Sequence, residues 1–353
     1  MLNLLKAKWV TSVFLIGLRA GNALSKFALS LYVVRYLGLS DLGLYGLFVA
    51  GVTILPAFAG FGTNDWIGRR AARSAFPVVA PLIFTRLGLS ASFNIGLQVL
   101  AYALNYALGT IVPWHTMLLC SAIVMLEHLA DDIAIFLMYR GHAVLGHVLL
   151  FLRAGLWPLF VIAAGILFPE WRTLEALLVG WLGGLIVMWA LLALIFLRMR
   201  AWSHCRIETE LLTSGIRESV PFFLKDMSIA AGLYLDRFLV STLLGLEASG
   251  VYTFFWSVAN VLHNITLSAI FQPKVAAIMR AASDGSAIFR NVFYHAIRQS
   301  IVVAFVFGLV LIGLMPVIIS VLDKPALSQM QPLFAIVIIA TIVRLSLDGY
   351  NYA

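Results

Sequence analysis

Charged residues are scarce in this chain: Asp, Glu, Lys and Arg make up 11% of its 353 residues. A soluble domain carries about 25% charged residues. This shortage, with 62% hydrophobic residues and a mean hydropathy of +0.99, excludes a soluble fold and indicates several membrane spans. The alternation typical of an outer-membrane barrel is also missing, so we expect helical spans and an all-α fold.

Cysteines and catalytic motifs are equally scarce. The chain has two cysteines, Cys120 and Cys205, predicted in a span and in a cytosolic loop, so we expect neither a disulfide nor a metal site. It has no nucleophile elbow, no Walker phosphate-binding loop and no acid pair in a sizeable extramembrane domain. The short outer connections also disfavour a membrane enzyme such as a glycan polymerase. We therefore predict no enzyme activity and no cofactor.

Hydrophobic segments occupy most of the chain. Each is predicted to be a membrane helix, and together they lie at 10–36, 43–62, 78–104, 110–138, 143–167, 174–197, 219–243, 250–272, 293–321 and 331–350. When the connections between them are assigned alternately to two sides, fourteen basic residues fall on one side and only Arg172 and Lys324 on the other. This asymmetry predicts a cytosolic N-terminus. The net charge of +8 forms no basic and aromatic patch, so we expect no nucleic acid partner.

A short phrase occurs twice in the chain. LGLSDLGLY at 37–45 returns as LGLEASGVY at 244–252, with a constant offset of 207 residues. Both copies fall at the predicted outer turn between the first and second spans of a half. Because six spans separate them, we predict a parallel repeat with its axis along the membrane normal. Its glycines fit a tight turn where helices approach closely.

The polar connection at 198–218 divides the halves. We predict a six-helix N-terminal lobe at 1–198, a cytosolic linker at 199–218 and a C-terminal lobe at 219–353. The same offset would end a full second half near residue 405, beyond the last residue, 353. The expected C-terminal lobe is therefore incomplete, with about four helices.

Three segments together resemble a known family. They are VVRYLGLSDLGLYGLFVAGVTIL, GFGTNDWIGRRAARS and YLDRFLVSTLLGLEASGVY. They are similar to Wzx-type polysaccharide flippases, members of the multidrug, oligosaccharidyl-lipid and polysaccharide exporter superfamily. This resemblance implies two pseudo-symmetric lobes around a central cavity in the bacterial inner membrane. It also implies flipping of an undecaprenyl-diphosphate-linked oligosaccharide by a protein expected to act as a monomer. The chain departs from the family at Asp65, where an apolar or small residue is more usual.

Two basic residues interrupt the first span. Arg19 and Lys26 are seven residues apart, nearly two helical turns, so both project from one face. A diphosphate headgroup requires such chemistry, because arginine binds phosphate oxygens bidentately and lysine acts as a point charge. The alternatives are pairing with acids of the fourth span, or snorkelling of Arg19 toward the cytosol. A cationic cavity would argue against the other function that we consider, an ion-coupled multidrug exporter.

Acidic residues interrupt two further spans. Glu127 and Asp131 share a face of the fourth span, where they either neutralise Arg19 and Lys26 or bind a coupling proton or sodium ion; we favour neutralisation. The seventh span carries two further adjacent pairs, Lys225 with Asp226 and Asp236 with Arg237.

In related flippases an acid on the seventh span helps to bind a coupling cation. The resemblance extends that role to Asp226 or Asp236, and it places Lys225 and Arg237 at the cavity. For both pairs we favour salt bridges between helices over this role. For Arg86, Arg153 and Arg344 we favour structural roles, and residues 64–75 are predicted to form an interfacial helix.

Overall fold

A computed structural model describes residues 2–72, 74–110, 112–198, 206–271, 274, 278 and 286–350. Every regular element among these residues is helical. The helices are α1 Leu2–Tyr36, α2 Leu39–Ala59, α3 Thr63–Ala71, α4 Phe76–Ala107, α5 Trp114–Tyr139, α6 Ala143–Phe151, α7 Trp157–Leu167, α8 Leu174–Arg198, α9 Ile216–Leu244, α10 Leu246–Thr266, α11 Ser286–Leu322, α12 Pro325–Gln329 and α13 Gln331–Tyr350. Single π-helical turns lie between α6 and α7 at Leu152–Leu156, before α9 at Leu211–Gly215 and after α10 at Leu267–Phe271.

The predicted helical fold is confirmed. Each of the ten hydrophobic segments coincides with helical structure, and the 64–75 segment contains the short helix α3. Six of the described helical stretches are long and apolar enough to cross a membrane, at 39–59, 76–107, 143–167, 174–198, 211–244 and 289–322. The first and fifth helices have charged residues in their interior, which lower their hydropathy.

The chain divides into two compact units. One unit combines Met1–Gly43 with Leu244–Ala353, and the other contains Leu44–Leu243. The lobes at 1–198 and 219–353 stay a prediction. Of the linker between them, 199–205 lie outside the described residues, as does Cys205. The described remainder leads into the π turn and the start of α9.

The two copies of the repeated phrase meet inside the first unit. Gly38 and Gly245, equivalent in the repeat, each adopt a positive φ, of 119° and 90°, in the turns that precede α2 and α10. Glycine adopts such angles without steric cost. A Cβ added to Gly43 would meet the carbonyl of Leu246, and one added to Gly250 would meet the carbonyl of Leu39. The predicted tight turn and close helix approach are therefore both present.

The second unit has a hydrophobic core at one end of α4 and α5. Trp66 and Ile67 of α3 pack there against Val79 and Leu82 of α4 and Phe136 of α5. The short helix α3 is polar on its other side, where it carries Asp65, Arg69 and Arg70. This packing fixes α3 across the ends of the long helices and positions its charged side chains.

Candidate functional site

A buried ion pair joins α4 to α5. The Nη2 atom of Arg86 lies 2.8 Å from Asp132 Oδ1, and its Nε donates to Oδ2 at 3.1 Å. Both side chains are almost fully buried, with exposures of 0% and 1%. Two parallel bonds make this the strong bidentate form of the arginine–carboxylate pair.

Neighbouring polar groups complete the pair. Ser90 donates to Asp132 at 2.8 Å, and Arg86 donates to Thr63 Oγ1 at 2.6 Å and to the Gly60 carbonyl. The ring of His128 lies 3.9 Å from Asp132. A buried pair is tolerated when its remaining donors and acceptors are satisfied. The structural role favoured for Arg86 agrees with this arrangement, and Asp132 is its partner.

A second ion pair joins α5 to the π turn at Leu152–Leu156. Arg153 forms an ion pair with Asp131, and its Nε lies 3.5 Å from Glu127 Oε1. Its Nη1 also donates to the Glu127 backbone carbonyl at 3.0 Å. Glu127 and Asp131 therefore have a basic partner within their own unit. That partner is Arg153. The neutralisation of Arg19 and Lys26 by these acids stays a prediction.

An aromatic cluster contacts Glu127 through Trp181. Trp181 of α8 donates to its carboxylate at 3.2 Å and stacks on Trp157, with ring centres 5.6 Å apart. Tyr45 and Phe48 of α2 pack edge-on against the same Trp181 ring. The Glu127 side chain is 12% exposed, and its ion pair with arginine is therefore stronger than it would be in water.

A third charged group connects α3 to α9. Lys225 Nζ lies 2.6 Å from Asp65 and 3.4 Å from Asp226, and the Tyr139 hydroxyl donates to Asp65 at 3.1 Å. The Lys225 side chain is 46% exposed, so other protein atoms do not enclose this group. The acid at 65, unusual for the resembled family, is therefore the partner of a lysine that the resemblance placed at the cavity.

Further contacts attach α3 to the chain before and within α9. Trp66 Nε1 donates to Glu218 at 2.9 Å, Arg70 pairs with Glu210, and the Arg69 guanidinium lies 4.6 Å from the centre of the Phe222 ring. These contacts make the region around α3 a polar junction.

The remaining predicted residues occupy two helices. On α1, Arg19 is half-buried and Lys26 is exposed, and the helix is continuous between them. On α9, Arg237 is buried, and its guanidinium lies 4.9 Å from the centre of the Tyr234 ring. Asp236 Oδ1 accepts a hydrogen bond from the Arg237 backbone N–H at 2.8 Å. Among the residues that the structure describes, no three His, Cys, Asp or Glu side chains form a metal-binding group.

Solved structures reveal what this fold is similar to. The sequence matches no protein-family model and no curated protein. An inward-facing multidrug resistance MATE family transporter of the MOP superfamily superposes with a TM-score of 0.65 at 14% identity, covering 97% of this chain and 85% of the other. An outward-facing form of such a transporter gives a TM-score of 0.55 at 14% identity, with coverages of 96% and 82%. A MATE structure in the straight conformation gives 0.58 at 15% identity, with coverages of 98% and 80%.

The chain has the fold of MATE transporters. This agrees with the two-lobed helical fold that the resemblance implied, and at this identity it defines the fold alone. The neighbours are transporters of the same superfamily as the Wzx-type flippases, but the shared fold does not separate a flippase from a multidrug exporter.

The positions of the charged residues along their helices point to two of these ion pairs. A hydropathy profile does not use this information. Arg86 lies ten residues after the start of α4, and Asp132 lies seven residues before the end of α5. Because these helices run in opposite directions, the two charges lie at similar depth. The same argument links Arg153 to Asp131. No comparable signal points to the contact of Tyr139 with Asp65, which depends on the placement of α3.

Proposed function

We propose that this chain is an alternating-access transporter that flips an undecaprenyl-diphosphate-linked oligosaccharide across the bacterial inner membrane, for surface polysaccharide synthesis. Its support begins with the fold, which is shared with transporters captured in inward-facing and outward-facing conformations. The three sequence segments that resemble Wzx-type flippases direct the choice toward a lipid-linked glycan. The N-terminus is assigned to the cytosol, and the protein acts as a monomer.

The observation that carries the proposal is the distribution of charge among the helices. The acids of α5 pair with arginines of their own unit, Asp132 with Arg86 and both Glu127 and Asp131 with Arg153. Helix α1 carries basic residues and no acid along its length. Intramembrane charge is costly and usually faces a cavity or a partner. An anionic substrate would match the net positive charge that the sequence gives α1.

A sugar diphosphate meets this requirement. Arg19 would bind phosphate oxygens with its planar guanidinium, and Lys26 would supply a flexible second charge almost two turns away. The isoprenoid tail would stay in the bilayer while the head crosses between the lobes. Lys225 and Arg237 on α9 are the further basic residues that we assign to the route.

The driving force is assigned to an ion gradient or to the substrate gradient. A single charge that moves through 100 mV releases about 2.3 kcal/mol. If a proton or sodium ion is coupled, Asp226 and Asp236 are our candidates, because an acid on this span is what the resemblance to flippases points to. Lys225 lies 3.4 Å from Asp226. If Lys225 moved toward a substrate phosphate, the carboxylate of Asp226 would become available to the ion.

An ion-coupled multidrug exporter is the second candidate. The observation in its favour is that the inward-facing and outward-facing neighbours are multidrug resistance transporters. A cationic drug would be repelled by Arg19 and Lys26, so this function requires neutral or anionic compounds, or a route that avoids α1.

Complementation tests both candidates. The chain, an Arg19→Ala/Lys26→Ala variant, an Arg19→Lys/Lys26→Arg variant and an empty vector are expressed at matched levels in a bacterium without its own O-antigen flippase. We expect surface glycan from the native chain and from the charge-conserving variant, and none from the alanine variant or the vector. The same four plasmids are tested for drug resistance in a strain without its exporters.

The outcomes test the flippase function and the roles of Arg19 and Lys26 separately. Surface glycan from the native chain and the alanine variant alike would keep the flippase and overturn the roles of Arg19 and Lys26. Drug resistance without surface glycan would overturn the flippase in favour of the exporter.

A further inference from the structure

An apolar cavity of about 190 Å³ lies inside the second unit, and the proposed transport route does not use it. The cavity is formed by the ends of α4, α5, α6 and α8. Eleven of its thirteen lining side chains are apolar: Phe76, Ile83, Phe84, Leu87, Ile133, Phe136, Leu137, Leu145, Leu192, Ile195 and Phe196. Its volume is below the range of about 300–1,000 Å³ that is typical of pockets for drug-sized ligands. The cavity therefore suits a slender hydrocarbon chain better than a bulky molecule.

Two basic side chains complete the described lining of this cavity. They are Arg140, just after α5, and His142, just before α6. Arg140 is held in place because its Nη1 donates to the backbone carbonyls of Ala71, at 3.0 Å, and of Ser74. Arg198 follows the lining residue Phe196 by two positions at the end of α8. No acid is among these thirteen described lining residues, so the charge of the lining, carried by Arg140, is positive.

The chemistry of the lining specifies the ligand. Eleven apolar side chains provide a surface for a hydrocarbon chain, while the adjoining basic groups would attract an anion at one end. Free phosphate would leave the apolar surface unused, and a zwitterionic lipid would match the basic rim less well. Basic pockets between transmembrane helices on the cytosolic side bind anionic headgroups. The positive-inside distribution assigns this end of the helices to the cytosolic side.

We propose that this cavity binds part of one acyl chain of an anionic phospholipid, with the lipid phosphate beside Arg140 and His142. The bound lipid would contact α4, α5, α6 and α8 together. Because Arg140 also binds the chain that follows α3, the headgroup would lie next to the junction of α3 with α9. The site does not depend on which substrate the protein transports.

Native mass spectrometry of the delipidated full-length chain tests the proposal. Phosphatidylglycerol and phosphatidylcholine with identical acyl chains are added separately, and the fraction of protein that retains one lipid is measured. We expect phosphatidylglycerol to be retained at concentrations where phosphatidylcholine is not. The variant His142→Glu introduces a negative charge at the rim and should weaken phosphatidylglycerol retention about fivefold, the size expected for one charge near an anionic headgroup.

Two control variants repeat these types of substitution, His→Glu and Leu→Trp, at positions outside the cavity. His115→Glu introduces the same charge at an exposed histidine in the first turn of α5, and Leu104→Trp adds an indole at an exposed position of α4. Neither should change lipid retention. In contrast, Leu145→Trp places an indole inside the cavity and should abolish retention of phosphatidylglycerol.

Several results would overturn the proposal. Equal retention of the two lipids by the native chain would do so, as would equal effects of His142→Glu and His115→Glu. Displacement of phosphatidylglycerol by equimolar undecaprenyl phosphate would assign the cavity to the isoprenoid chain instead. If Leu145→Trp does not fold, the comparison of the two histidine variants decides.

Discussion

Gly43 and Gly250 lie against each other, although 207 residues separate them in the chain. A Cβ on Gly43 would lie 3.1 Å from the backbone nitrogen of Gly250 and would also meet the Leu246 carbonyl, while a Cβ on Gly250 would meet the Leu39 carbonyl. Leu39 and Leu246 are equivalent in the repeat, as are the two glycines. The contact is therefore the same in both directions, as in a two-fold symmetric interface.

Replacement of Gly250 by Ala should separate the two turns. The added methyl group overlaps the Leu39 carbonyl, and a forced fit of this kind costs about 1–3 kcal/mol. We expect a lower thermal unfolding midpoint in detergent and reduced surface glycan in the complementation assay. Gly51→Ala is the control, because a Cβ there meets nothing within 4 Å and alanine favours the helix. Equal midpoints for the two variants would contradict the close contact.

Loss of one partner of the Arg86–Asp132 pair should destabilise the second unit strongly. Arg86→Met leaves the Asp132 carboxylate buried without its cation, and an uncompensated buried charge of this kind costs about 3–5 kcal/mol. The double variant Arg86→Met/Asp132→Leu should recover much of the loss. Thermal unfolding in detergent measures both. Arg70→Gln, which breaks the exposed pair with Glu210, should change stability by about 1 kcal/mol or less.

Variants of Arg153 test whether Glu127 and Asp131 of α5 balance the charge of this arginine or bind a coupling ion. If Glu127 and Asp131 serve to balance Arg153, then Arg153→Met/Asp131→Leu should fold and transport better than Arg153→Met alone, because the remaining charge is smaller. Reconstituted vesicles with imposed proton or sodium gradients measure this transport. A double variant that folds but has lost all dependence on either gradient would show that Asp131 carries the coupling ion.

Paired variants of Lys225 and Asp65 test whether Lys225 contacts the substrate. Lys225→Gln leaves Asp65 and Asp226 close together without a cation, and we expect reduced transport. The double variant Asp65→Asn/Lys225→Gln removes the excess negative charge. If Lys225 binds phosphate, the double variant stays as inactive as the single one in the complementation assay. Recovery in the double variant would restrict Lys225 to a structural pair.

Much of the fold could be predicted because its determinants are local. A run of apolar residues long enough to cross a bilayer must satisfy its own backbone hydrogen bonds, so hydropathy predicts a helix almost regardless of neighbours. The repeated phrase also predicted the glycine turns, since a positive φ at Gly38 and Gly245 depends on only a few residues. The cavity, in contrast, has no sequence signature, because its lining residues come from four helices.

The sequence by itself determined the helices, the excess of basic over acidic residues on α1 and the repeat that relates Gly43 to Gly250. Only the tertiary structure decided which charges are partners: Arg153 with Asp131, Arg86 with Asp132 and Lys225 with Asp65. The physical reason is that an ion pair forms between side chains that meet within about 4 Å. That distance depends on the depth and rotation of two packed helices, which hydropathy along one chain does not specify.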